Sequence, residues 1–184
     1  PGDITQIDTL LGGIPGMTCV QVAQGESPAL IDCGAQTSAV TVRDALHAMG
    51  IGADDLAWLV LTHVHLDHIY GNASFVGENV DFIGHVELPK AMALRKEFYE
   101  RINLEYLDVP NDQSIQIAPN ILIKPNESKI FDLGNRKIKV TAYSIAHTKT
   151  DVTIEDMKTK TLWAGDLLFT ERTPVIDGDI HGFI

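Results

Sequence analysis

Four side chains that can bind metal, those of His63, His65, Asp67 and His68, lie within six residues of this sequence. They directly follow residues 56–61, a short apolar run that predicts a strand buried on both faces. The end of a buried strand is a rigid place from which to position ligands, and His and Asp supply the nitrogen and oxygen atoms that zinc, manganese and iron bind. The rest of the chain therefore has to build a scaffold around a metal site.

The spacing within residues 63–68 supports this interpretation. Alternate side chains of an extended segment share a face, so His63, His65 and Asp67 are expected to point the same way, while His68 turns in as the chain leaves the strand. The alternative is a surface loop that happens to be rich in histidine, or one that binds metal only adventitiously. The run contains no cysteine, which disfavours a closed, purely structural zinc site.

Two further segments place a candidate ligand after a predicted strand. His147 follows a strand predicted at residues 136–144, and Asp166 follows one predicted at 161–164, with Gly165 allowing close approach of the backbone. Each is weak evidence alone, because a lone His after a strand is usually a polar loop residue and Gly-Asp is a common turn. Together with residues 63–68 they complete two sets of ligands.

The remaining pattern alternates between strands and helices, which indicates the α/β class, with two mixed sheets and helices outside them. With 184 residues, 45% of them hydrophobic, the chain is expected to form a single domain over residues 1–184. Helices are predicted at residues 38–49, 68–75 and 88–102. The apolar spacing of the last one places Ala91, Leu94 and Phe98, with Arg101 after them, on successive turns of one face. Strands are predicted at residues 17–23, 29–32, 56–61, 80–83, 120–123, 129–132, 136–144, 152–155 and 161–164.

Composition excludes some partners. The formal charge of −11 argues against binding to nucleic-acid backbones, and no apolar run reaches the roughly 18 residues of a membrane span.

Cys19 and Cys33 read as small buried side chains, with a disulfide between them left open. Because the sequence does not begin with Met, an N-terminal stretch, a leader peptide or another segment, is expected to have been cut away. The compartment, cytoplasmic or periplasmic or secreted, and the oligomeric state stay open.

The run at 63–68, together with His147, the Gly165-Asp166 pair and the Ile-Asp-Cys-Gly segment at 31–34, resembles the metallo-β-lactamase-fold hydrolases. The resemblance covers essentially the whole chain and implies a four-layer αββα sandwich. Family members normally continue beyond the position of Ile184 to another strand and a last metal-binding His, so the chain is expected to lack the C-terminal portion of the fold.

The resemblance also implies two divalent ions. Zinc is the favoured metal, with iron and manganese as alternatives. Asp32 would be a structural residue that supports the ligands without binding metal. The implied ligands are His63, His65 and His147 for the first ion, Asp67 and His68 for the second, and Asp166 as a bridge between them.

The implied activity is hydrolysis of a small molecule by a metal-bound hydroxide, the bond being an ester, thioester, lactone, amide (including a β-lactam) or phosphoester. Asp67 would orient the hydroxide and accept its proton. A bridging carboxylate at Asp166 resembles the glyoxalase-II and lactonase side of the family, and residues 166–178 are similar to the quinoprotein relay system zinc metallohydrolases.

Two other functions stay open: a di-iron protein of the same fold that reacts with oxygen or persulfides, and an incomplete, catalytically weak domain.

His181 is expected to be a solvated loop residue, and His47 and His85 to have surface or packing roles. The aromatic residues around the helix at 88–102 are expected to form either an apolar wall of the site or simply core. These residues are Phe98, Tyr99 and Tyr106, with Leu107 beside them.

Overall fold

The computed structural model describes residues 4–52, 54–77, 79–110, 116–170 and 173–183. The strands are β1 Ile4–Asp8, β2 Cys19–Ala23, β3 Ala29–Ile31, β4 Trp58–Val60, β5 Asp81–His85, β6 Ile121–Ile123, β7 Ser128–Asp132, β8 Lys137–Ala142, β9 Val152–Asp156 and β10 Thr161–Trp163. The α-helices are α1 Ala39–Ala48, α2 Leu66–Ile69, α3 Leu88–Leu107 and α4 Ile180–Phe183.

The strands form two stacked sheets. The first runs in the order β1-β2-β3-β4-β5-β6, antiparallel from β1 to β3 and parallel from β3 to β6. The second, in the order β10-β9-β8-β7, is antiparallel throughout its described strands. One of the two sheets is therefore mixed, where the sequence predicted two, and the α/β class is confirmed.

Successive residues of the central strands point into two different cores. Leu30 and Leu59 pack on the side of α1 and α3, whereas their neighbours Ile31 and Val60 pack against second-sheet residues such as Ile154. Side chains on both faces are buried, which explains why these strands read as continuous apolar runs. A helical layer and two sheets are thus stacked in that order.

Helix α3 is longer than predicted and turns a different face to the core. It runs on from the predicted end at residue 102 to Leu107, and Asp108 follows in the left-handed region at φ 53. Met92 and Tyr99 lie on its buried stripe, while Leu94 is 75% exposed and Phe98 is 50% exposed. Of the face predicted from the sequence, Ala91 is buried, but the prediction was wrong for Leu94 and Phe98, which do not enter the core.

Strand β1 was missing from the prediction, and it lies at the edge of the first sheet, paired with β2 alone. Cys19 and Cys33 are free thiols, so the disulfide left open by the sequence is not formed. Among the described residues, no helix has the length and apolar character that crossing a membrane requires.

Candidate metal centre

The candidate ligands lie where several strands end on one side of the two sheets. β3 and β4 are parallel, so Asp32 and His63, which follow them, come from the same sheet edge. His147 lies in the loop between β8 and β9, and Asp166 follows β10. The amide of Val152 donates to the carbonyl of Thr62 at 2.9 Å, which joins the second sheet to the first at this point.

The first cluster consists of three His side chains and one carboxylate, His63, His65, His147 and Asp166. Each offers one ligand atom, and these atoms all lie within 4.8 Å of one another. Nε2 of His147 is 3.1 Å from Nδ1 of His65, and Oδ2 of Asp166 is 3.6 Å from that Nε2. Tetrahedral zinc with bonds of 2.0–2.1 Å sets its ligand atoms roughly 3.3 Å apart, so these spacings suit one ion.

The ring of His63 is arranged so that Nε2 faces the cluster with a lone pair. Its Nδ1 is 3.1 Å from Oγ1 of Thr62, whose hydroxyl proton is already donated to Oδ2 of Asp32 at 2.7 Å. Nδ1 must then be the protonated nitrogen. Nε2 is buried without a hydrogen-bond partner and lies 3.9 Å from Oδ2 of Asp166. A buried, unpartnered acceptor of this kind is what a bound metal ion would satisfy.

A second set of possible ligands adjoins the first through Asp166. Nε2 of His68 is 3.4 Å from Oδ1 of Asp166 and 3.7 Å from Oδ2 of Asp67. Asp166 therefore turns one oxygen toward each set. Asp67 and His68 both lie on the short helix α2, so the extended chain that was expected through Asp67 ends at His65.

Asp32 organises the ligand run without entering either set. Its Oδ1 accepts the amide of Thr62 at 2.8 Å, and its Oδ2 accepts Nδ1 of His68 at 2.7 Å. The residue is 3% exposed and has φ 58, a conformation that L-residues seldom adopt. The geometry agrees with the supporting role that was expected of Asp32.

The pKa values separate the histidines into two groups. Burial, with the neighbouring histidines, holds the pKa of His63 well below its usual value, and burial likewise lowers that of His65. These rings are neutral at neutral pH, as metal binding requires. Burial opposes charge on His68 as well, but Asp32, Asp67 and Asp166 raise its pKa to about 10 when no metal is bound. Burial raises the pKa of Asp166.

The loop that carries His147 is ordered by a buried carboxylate that the sequence did not single out. Asp151 accepts hydrogen bonds from the amide and hydroxyl of Thr148, at 2.9 and 2.7 Å. His85 lies under the same loop, with Nε2 3.0 Å from the carbonyl of Tyr143 and Nδ1 accepting the amide of Glu87. A buried packing role for His85 is therefore what the structure shows.

Two further polar residues near the cluster were also missed, Arg95 on α3 and Asp177 in the segment before α4. Oδ2 of Asp177 is 3.4 Å from Nε2 of His65 and contacts the guanidinium of Arg95. Their only sequence signal was the Asp-Gly turn at 177–178. His47 and His181 are exposed and lie outside the cluster. His181 was expected in a loop, but it lies on the short helix α4.

A cleft of about 690 Å³ opens beside the second set of ligands. Asp67, His68 and Asp166 line it, together with Met17 from the loop before β2 and Phe169 from the segment after β10. No residue of α3 lines this cleft. The aromatic wall proposed on α3 is therefore not part of it; Tyr99 is buried in the core and Tyr106 is 74% exposed.

The family model that describes the metallo-beta-lactamase superfamily matches the sequence of this chain over residues 17–184. The chain belongs to the metallo-beta-lactamase superfamily. This confirms the family and the fold that residues 31–34, 63–68, 147 and 165–166 predicted. Members of this superfamily typically bind metal ions, and the cluster of His63, His65, His147 and Asp166 is a group of side chains that could hold one here.

Similar proteins span a range of roles. The anti-Pycsar protein Apyc1 of Bacillus phage 010DV004 is 30% identical over 122 residues, which are 65% of this chain and 42% of that protein. The metallo-beta-lactamase family protein TTHA1429 of Thermus thermophilus has a TM-score of 0.68 at 19% identity, over 96% of this chain and 63% of that one. The sec-alkylsulfatase Pisa1 of Pseudomonas sp. has a TM-score of 0.67 at 15% identity, over 91% and 30%. The chain therefore spans less than two thirds of each of these relatives.

Proposed function

We propose that the chain is a single domain, residues 1–184, of a metal-dependent hydrolase that holds two divalent ions. Zinc is the favoured metal for both. The position of Asp166 carries this proposal. Its Oδ2 lies 3.6 Å from Nε2 of His147, and its Oδ1 lies 3.4 Å from Nε2 of His68. One carboxylate between two groups of imidazoles is an arrangement suited to bridging two cations.

Each ion would have its own ligands in addition to the bridge. The first ion would have three imidazoles and the second one imidazole with one carboxylate, so the first ion is expected to bind more tightly. The ligands are His63, His65 and His147 for the first ion, Asp67 and His68 for the second, and Asp166 for both.

Divalent ions bound at such a site lower the pKa of the water they hold and polarise the bond under attack. Asp67 would orient the attacking water and accept its proton, because its carboxylate lines the cleft and lies 3.7 Å from Nε2 of His68. Asp32 would keep Nδ1 of His68 protonated, so that Nε2 carries the lone pair toward the ion.

The substrate would be a small molecule containing an ester, thioester, lactone, amide or phosphoester bond. A cleft of about 690 Å³ beside the ligands supports this, since small-molecule sites commonly measure roughly 300–1,000 Å³. A carboxylate rather than a thiolate at the bridge favours a glyoxalase-II-like or lactonase-like reaction over β-lactam hydrolysis. Cys19 lines the cleft and Cys33 is buried, and neither belongs to the cluster.

The test combines elemental analysis of the purified chain with hydrolysis assays on a thioester, a lactone, a phosphodiester and a β-lactam. About two zinc ions per chain and hydrolysis of at least one substrate are expected. His63→Ala should lose metal and turnover by more than about a hundredfold, because even residues that merely support ligands cost 10–100-fold. His47→Ala, an exposed histidine on α1, is the matched control and should change neither.

The other outcomes identify the alternatives. A coloured, iron-loaded protein that consumes oxygen and hydrolyses nothing would indicate the di-iron function instead. One ion or none per chain, with no turnover in the presence of added zinc, would indicate a domain that folds without being catalytically competent, and would overturn the proposal.

A further inference from the structure

The segment around residues 177–183 packs directly on the loop that carries His147. The amide of Asp177 donates to the carbonyl of His147 at 2.9 Å, and the amide of Asp179 donates to the carbonyl of Ala146 at 2.9 Å. A Cβ on Gly178 would collide with that carbonyl of Ala146, so only glycine allows the close approach. Backbone contacts therefore hold the main chain at Asp177 against the His147 loop.

The side chain of Asp177 reaches a second ligand, His65, from the opposite direction. Oδ2 of Asp177 lies 3.4 Å from Nε2 of His65, and the guanidinium of Arg95 contacts the same oxygen. Arg95 belongs to α3, on the helical side of the first sheet. Asp177 thus connects two candidate ligands that come from different sheets, and Arg95 ties this connection to the helical layer.

The contact determines which nitrogen of His65 can bind metal. A carboxylate can only accept a hydrogen bond, so Nε2 of His65 must carry the proton that faces Asp177. Nδ1 then keeps its lone pair, and it is Nδ1 that lies 3.1 Å from Nε2 of His147 inside the first cluster. In His63 the assignment is reversed, because Thr62 accepts from Nδ1 and Nε2 faces the cluster.

We propose that Asp177, held in place by Arg95, is a positioning residue for His65: it fixes the ring and its protonated nitrogen so that Nδ1 is presented to the first metal ion. The role of the contact in metal binding rests on the proposed function, whereas the contact itself does not. The charge of Asp177, whose side chain is 39% exposed, is balanced locally by the guanidinium of Arg95.

The first readout needs no metal. In the metal-free protein, the Nε2–H proton of His65 should be visible by NMR near pH 8, because the hydrogen bond to Asp177 slows its exchange with water. Asp177→Ala should abolish this signal. Asp177→Asn should restore it in part, because the amide oxygen still accepts. A signal that is equally strong in Asp177→Ala, or absent from the unmodified chain, would overturn the proposed contact.

The second readout is the rate at which the loaded protein loses zinc to a chelator. Asp177→Ala should lose the more tightly held ion about 10–100-fold faster than the unmodified chain, with Asp177→Asn between them. Arg95→Met should show a smaller effect, because the backbone still holds Asp177. Asp179→Asn is the matched control: its carboxylate caps the amide of His181 in the same segment, and zinc loss should be unchanged.

The two readouts separate failure of this inference from failure of the proposed function. Equal rates of zinc loss in Asp177→Ala and the unmodified chain would overturn the positioning role while leaving the metal site in place. An unmodified chain that binds no zinc, yet shows the Asp177-dependent proton, would overturn the proposed function and leave the contact standing.

Discussion

Oδ2 of Asp32 lies 2.7 Å from Nδ1 of His68, which joins the end of β3 to the ligand run after β4. The same carboxylate accepts the amide and the hydroxyl of Thr62, so three donors converge on one buried side chain. The two strands are adjacent and parallel, and this is why residues 30 positions apart meet at one edge. The orientation of His68 therefore depends on Asp32 before any metal is bound.

Replacement of Asp32 by alanine should destabilise the protein by roughly 3–5 kcal/mol, because it leaves three buried donors without an acceptor. The free energy of unfolding in urea measures this. Asp44→Ala, on the exposed side of α1, is the control and should change it by less than about 0.5 kcal/mol. A loss from Asp32→Ala no larger than that of the control would contradict the role given to Asp32.

The metal-free protein should lose stability as the pH rises from about 6.5 toward 10. The folded-state pKa of His68, about 10, is above its ordinary value of 6.5, so the stabilisation is fully present below pH 6.5 and disappears as the pH approaches 10. Unfolding midpoints measured in a chelator across this range should fall for the unmodified chain and fall less for His68→Gln. Parallel curves for the two proteins would refute the assignment to His68.

Gly178→Ala should displace the segment that packs on the His147 loop. The added methyl group would collide with the carbonyl of Ala146, and such overpacking costs typically about 1–3 kcal/mol. Zinc affinity, measured by competition with a chelator, should fall together with the free energy of unfolding. Gly52→Ala meets only the end of the Asp55 side chain and should leave both nearly unchanged. Unaltered zinc affinity in Gly178→Ala would show that the segment does not support the ligands.

The two faces of α3 should respond differently to truncation. Met92 is buried against the first sheet, so Met92→Ala should cost about 2–5 kcal/mol, whereas Leu94 is 75% exposed and Leu94→Ala should cost less than about 0.5 kcal/mol. Urea unfolding of the two variants gives the comparison directly. The reverse order would mean that the face predicted from the sequence is the buried one after all.

The ligand run at 63–68 and the central strands could be predicted from the sequence because both signals are local. Leu59 and Val60 are buried on opposite sides of the sheet, which makes their segment apolar throughout, and the ligands begin where it ends. The helices at 38–49 and 88–102 were likewise predicted from the spacing of their apolar residues. In the structure, α1 spans Ala39–Ala48 and α3 begins at Leu88.

The remaining features depend on contacts between distant parts of the chain. Asp177 and His65 are 112 positions apart, and nothing near either residue in the sequence signals the other. Strand β1 pairs only with β2 at a sheet edge and alternates too weakly in hydrophobicity to stand out. On α3, apolar residues occur on the exposed face as well, so spacing alone did not identify the buried one.

Anomalous X-ray scattering at the zinc absorption edge, from crystals of the zinc-loaded protein, tests the two-metal site most directly. Two peaks are expected on either side of the Asp166 carboxylate, one among His63, His65 and His147 and the other beside Asp67 and His68. In crystals prepared at a lower zinc concentration, the peak among His63, His65 and His147 should persist. A single peak, or peaks located at exposed histidines such as His47 and His181 and not at Asp166, would contradict a two-metal hydrolase.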